Sequence, residues 1–105
     1  MSMMMILATA ASIAATDVWI PGPSGPLAAT LTDPGTNAPA LILIPGSGPT
    51  DRNGDNPAGV AGGIYRQLAE QLGARGVATL RIDKRGMFGS KAAIPDANAV
   101  TIADY

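Results

Sequence analysis

The hydrophobic pattern changes period along the chain, and each change marks an element. Asp17 to Ile20 and Pro26 to Thr32 flank PGPSG, whose two prolines and two glycines prevent regular structure, so the two arms read as a hairpin. In the second arm Leu27, Ala29 and Leu31 alternate with Ala28 and Thr30, the period of a strand with one covered face. A second turn, TDPGTNAP, leads into Ala40, Leu41, Ile42, Leu43 and Ile44. Alternation stops here, and consecutive apolar positions predict a central strand buried on both faces, as in a parallel sheet.

From Ile64 the period becomes helical. Ile64, Leu68 and Leu72 lie four apart with Ala61 and Tyr65 beside them, while Arg66, Gln67, Glu70 and Arg75 occupy the other side. Gly76 stands where a helix ends in a left-handed residue, and Val77 to Ile82 resumes as a second buried strand. Strand, helix and strand in this order form a βαβ unit, with parallel strands and a right-handed crossover. The expected class is α/β, without internal repeats or low-complexity linkers.

The two ends of the sequence carry different signals. The first fifteen residues, MSMMMILATAASIAA, are uncharged, and their apolar stretch from Met3 to Ala15 spans 13 residues. That length suits the apolar region of an export signal and falls short of the roughly 20 residues of a membrane-spanning helix. Ser12 and Ala14, or Ala8 and Ala10, fit the small-residue positions of a cleavage site, although no Lys or Arg precedes the apolar stretch. A buried N-terminal helix is the poorer reading, because Thr9, Ser12 and the alanines offer little large apolar surface. Residues 1–15 are therefore expected to be a signal peptide, and the protein periplasmic or secreted. At the other end Thr101 and Asp104 have capping-box spacing, so VTIADY reads as the first turn of a helix that stops at Tyr105. Residues 16–105 are accordingly expected to be the N-terminal portion of a longer domain.

Composition narrows the chemistry. Seven Lys plus Arg nearly balance eight Asp plus Glu, which gives no electrostatic reason to expect a nucleic acid or an anionic membrane as partner. The chain holds no cysteine and no histidine, so thiolate nucleophiles, Cys-type zinc sites and the commonest general base are all missing. The loop after the apolar run, PGSGPTDRNGD, fits none of the known phosphate, dinucleotide or calcium cradles. It lacks the GK followed by Ser or Thr of a phosphate-binding loop and the third glycine of a dinucleotide fingerprint. Asp51, Asn53 and Asp55 begin like a calcium loop, but Asn56 and Gly62 occupy the positions of its glycine and its glutamate, so no metal is expected.

What remains is a glycine-rich loop at the carboxyl end of a parallel strand, where α/β proteins place ligand chemistry. LILIPGSGPTDRNGDNP, the helix containing IYRQLAEQLGARG, and VATLRIDKRGMFGS together resemble the N-terminal third of a bacterial α/β-hydrolase, most closely the secreted esterases of the EstD type. The resemblance covers roughly Leu41 to Tyr105. It implies an incomplete α/β-hydrolase fold: an antiparallel N-terminal hairpin, then β-α-β with parallel strands, the triad-bearing half missing. Pro45, Gly46, Ser47 and Gly48 fall where many such enzymes have HGxG, which implies that the backbone N–H of Ser47 is one oxyanion-hole donor, with Gly46 and Gly48 supplying backbone freedom. Ser47 as a nucleophile is rejected because no base is present to activate it. Asp83 to Ser90 resemble DxRGxGxS, with Phe88 standing where the second glycine is expected. The resemblance implies that this turn packs on the oxyanion loop, with Asp83 or Arg85 pairing with Asp51 or Arg52. The alternative is an exposed charged turn that makes nothing.

The GxSxG elbow, the acid and the histidine are absent from these residues, so the chain alone is expected to be inactive. A small-molecule ester or acyl substrate is implied for the whole enzyme, with no cofactor, since a triad needs none. A peptidase of the same fold is the runner-up. A non-catalytic α/β binding or interaction domain is the competing class.

Overall fold

The computed structural model describes residues 13–35, 37–94 and 101. They form an α/β domain with a mixed four-stranded sheet, built from β1 (Ala15–Ile20), β2 (Leu27–Thr32), β3 (Ala40–Leu43), α1 (Ile64–Gly73) and β4 (Ala78–Ile82), followed by a 3₁₀ segment over Phe88–Ala93. The strand order is β1-β2-β4-β3. β1 and β2 form the expected antiparallel hairpin, β2 pairs antiparallel with β4, and β3 runs parallel to β4.

Two expectations about the strands fail for a common reason. The run Ala40 to Ile44 is not central: among the described residues β3 is an edge strand, paired only with β4, and Ile42 is 63% exposed. An apolar run reports which residues could be buried, and strand order decides which of them are. β2 occupies the interior place instead, between β1 and β4, and Ala28, Ala29, Thr30 and Thr32 are all buried, so it is covered on both faces rather than one. β4, also interior, buries four of its five residues as expected.

The helix begins and ends as its sequence dictates, yet buries a different face. Ile64 and Leu68 are exposed, whereas Ala69 and Gly73 are buried. A Cβ at Gly73 would stand 3.2 Å from the Thr32 methyl, so small residues let the helix lie close on the sheet where leucine would hold it off. At its end the Val77 N–H donates to Leu72 O and the Gly76 N–H to Gly73 O, with Gly76 at φ +84°, the Schellman pattern. At its start no side chain of the helix acts as a cap. The preceding loop does this work: Asp55 Oδ1 accepts from the Gly63 N–H and Asn53 O from the Tyr65 N–H.

Among the described residues the buried apolar side chains are mostly small, five alanines with Ile82 and Pro45, while Trp19, Leu41, Ile42, Ile44, Val60, Ile64, Leu68 and Phe88 are exposed. Alanine burial supplies little transfer free energy. Leu27, Leu31, Leu43, Leu72 and Leu80 are half-buried and add to this core, and polar ties between the loops supplement it. Residues 1–12 and 102–105, which carry most of the expected signal peptide and of the final helical turn, lie outside the described residues. Ala15, the last residue assigned to the signal, opens β1 opposite Thr32. Among the described residues no helix is long and apolar enough to cross a membrane.

Candidate functional site

Because β3 and β4 are parallel neighbours, the loops leaving their carboxyl ends emerge side by side. The β3 loop runs through buried Pro45 to Gly46, Ser47 and Gly48, all three exposed. Only Gly48, at φ +87°, occupies the left-handed region; Gly46 does not, so the conformational freedom expected of both is used at one. A Cβ at either position would meet nothing within 4 Å, and the loop faces open space.

The β4 loop is the opposite in character. Asp83, Lys84 and Arg85 are all buried, which removes the reading of an idle exposed charged turn. Asp83 joins three segments: its Oδ1 accepts from the Arg52 N–H at 2.8 Å, its Oδ2 from the Gly89 N–H at 3.1 Å, and its own N–H donates to Ala28 O. A carboxylate that accepts two backbone amides is a strong, directional tie. The expected pairing of Asp83 with Arg52 is thus made through the Arg52 backbone. The Arg52 side chain lies 3.8 Å from Asp17, a surface pair of small worth.

Arg85 and Asp51 act elsewhere than expected. The Arg85 guanidinium reaches the hairpin turn, donating to Gly25 O at 3.4 Å, and it fills the space that a Cβ at Gly22 would need. Asp51 folds its own loop, its Oδ1 accepting from the N–H groups of Asn53 and Asp55. With Asp55 occupied at the helix start, the carboxylates that mimic a calcium loop serve as loop caps.

Three polar residues central to this region were not singled out from sequence. Lys84, only 1% exposed, donates from Nζ to Gly46 O at 2.5 Å and to Gly48 O at 2.6 Å. Burial lowers its pKa below the ordinary lysine value. Ser90 is fully buried; its hydroxyl donates to Asp83 O at 2.6 Å and accepts from the Ala28 N–H at 2.9 Å, fastening the DKRG turn to β2. Arg81 Nη1 donates to Asn53 Oδ1 and Arg52 O beneath the β3 loop. Its pKa is lowered, first by burial and then by Arg52 and Arg66. A buried arginine inside an apolar-looking strand and a buried lysine in the turn after it leave no periodic signal, and only the motif spacing around Asp83 to Ser90 pointed here.

Phe88 resolves the departure from DxRGxGxS. Its φ is +46°, so it stands in the left-handed region that glycine adopts without strain. The turn takes a glycine-like conformation at a residue that is not glycine.

Chemically, this arrangement offers an exposed backbone loop braced by a buried cation. Ser47 has no histidine to activate it anywhere in the chain, and Lys84 directs its protons to carbonyls. The region can donate hydrogen bonds to a developing negative charge. No protein-family model, curated protein or solved structure matches this chain.

Proposed function

We propose that the chain supplies the oxyanion side of a secreted serine hydrolase of the α/β-hydrolase kind, acting on carboxylic esters. The observation that carries this reading is the exposed Gly46–Gly48 loop at the carboxyl end of a parallel strand, latched from behind by the DKRG turn of the neighbouring strand. The antiparallel hairpin followed by a parallel β-α-β unit agrees with the architecture that the resemblance implies.

In this reading Ser47 donates its backbone N–H to the oxyanion of the tetrahedral intermediate. Gly46 and Gly48 shape the loop, and Asp83 and Lys84 hold it in place. The triad lies outside these 105 residues, because a chain without histidine cannot complete one. Residues 1–15 direct export. The substrate is a small ester, and the chemistry calls for no cofactor.

The test uses the polypeptide that carries the GxSxG elbow, assayed on p-nitrophenyl esters and aminoacyl amides. Ser47→Ala keeps the amide and should retain ester turnover, whereas Ser47→Pro deletes the N–H and should lower kcat by about 10²–10³. Amide turnover without ester turnover would transfer the reading to a peptidase. A reading frame that never reaches a GxSxG strand-turn-helix would favour the non-catalytic class.

A further inference from the structure

We propose that Lys84 is a positioning residue that fixes the direction in which Ser47 presents its amide. The proposal rests on the oxyanion reading above and adds a cause for the geometry that reading requires.

In a trans peptide the C=O and the N–H point in opposite directions, and no cis peptide occurs among the described residues. The C=O of Gly46 shares its peptide plane with the N–H of Ser47. Lys84 Nζ binds Gly46 O, so the Ser47 N–H is turned away from the buried ammonium. Among the described residues no acceptor meets it.

The second bond completes the arrangement. Lys84 Nζ also binds Gly48 O, whose peptide partner is Pro49, a residue without an N–H. Gripping this plane therefore turns no second amide outward. The Thr50 N–H donates to the same Gly48 O at 2.9 Å and holds that carbonyl inward as well. Two carbonyls two residues apart converge on one cation, and Gly48, which carries the second, takes a left-handed φ of +87°. The bound peptide dipoles have their negative ends on the ammonium and their positive ends away from it, which is the polarity an oxyanion needs.

Lys84 is suited to this work because it is only 1% exposed and its partners among the described residues are neutral carbonyls. A solvated lysine would exchange these carbonyls for water. A lysine paired with a carboxylate would lose much of its field.

The experiment is an NMR measurement on the isotope-labelled full chain carrying Ile42→Lys, a substitution at an exposed position of the edge strand that suppresses self-association. Through-hydrogen-bond couplings from Lys84 Nζ should be seen to the carbonyl carbons of both Gly46 and Gly48. Lys84→Met should lower the order parameter of the Ser47 N–H vector from a rigid value to below about 0.6, while Ala29 and Leu80 keep theirs. Lys84→Arg, which keeps a cation, should preserve more of that order than Lys84→Met does. Absent couplings in the parent chain, or an unchanged Ser47 vector in Lys84→Met, would overturn the proposal; the coupling measurement stands even if the methionine variant does not fold. Failure of the esterase assay alone would sink the functional reading and leave this geometry intact.

Discussion

Phe88 offers a test that turns on a sign. Its backbone lies at φ +46°, where a residue with a Cβ costs about 1–2 kcal/mol relative to the right-handed region. Glycine removes that cost but restores freedom to the unfolded chain, a loss of about 0.4–1 kcal/mol. Phe88→Gly should therefore be more stable than Phe88→Ala by about 1 kcal/mol. At an ordinary helical position the order is reversed by about 0.5–1 kcal/mol, so the two expectations are well separated. Comparing the two variants with each other, and not with the parent, removes the contribution of the ring. Phe88 is 41% exposed, and both variants lose the same partial burial, on the order of 1–2 kcal/mol. Urea unfolding followed by far-ultraviolet circular dichroism, in the Ile42→Lys background, provides the assay. With a slope of about 1–3 kcal/mol/M, the glycine variant should show a midpoint about 0.3–1 M higher. An alanine variant as stable as the glycine variant would refute the left-handed assignment, and with it the claim that the turn keeps its shape despite the missing glycine.

Other predictions address the polar ties. Asp83→Asn presents an NH₂ to one of two backbone donors and should destabilise the fold by about 2–4 kcal/mol in the same urea assay; a loss below about 0.5 kcal/mol would show that Asp83 does not join the loops. For Lys84 the folded pKa is depressed, so as pH rises the folded chain releases its proton before the unfolded chain does. The cost of burying the charge is present while the folded lysine is protonated and is relieved as pH climbs toward the ordinary lysine value of 10.5. The stability of the parent relative to Lys84→Met should accordingly increase as pH rises toward 10.5, and a constant gap would contradict the burial. The outer edge of β3, unpaired among the described residues and with Leu41, Ile42 and Ile44 exposed, should make the full chain associate in the micromolar range by analytical ultracentrifugation. Ile42→Lys should reduce that association, and a parent chain that sediments as a monomer throughout would count against it.

The parts of the fold set by local rules were legible in the sequence. PGPSG could only be a turn, Gly76 marked the helix end at the residue that adopts φ +84°, and the change of period announced β-α-β. Facts that depend on long-range placement were not. Nothing in Ala40 to Ile44 says that β4 inserts between β2 and β3 and leaves this run at an edge. Helix periodicity pointed to Ile64 and Leu68, because a hydropathy pattern weighs large side chains, yet close packing selected Ala69 and Gly73. The candidate site divides in the same way. The motif spacing located both loops, and Asp83 was named. A buried lysine holding two carbonyls has no pattern of its own, and Arg85 looked like a partner for Asp51 only until the hairpin turn was seen beside it.

The insertion of β4 into the middle of the sheet also dictates an order of events during synthesis. β2 is made early, but its second neighbour begins at Ala78, which leaves the ribosome 46 residues after Thr32. At about 5–20 residues per second, the hairpin waits roughly 2–9 s with one strand edge open. β3 waits too, since it has no contact with the hairpin until β4 lies between them. The sheet therefore closes from its centre last, and the nascent chain passes through an interval in which β2 and β3 both still lack the strand that joins them.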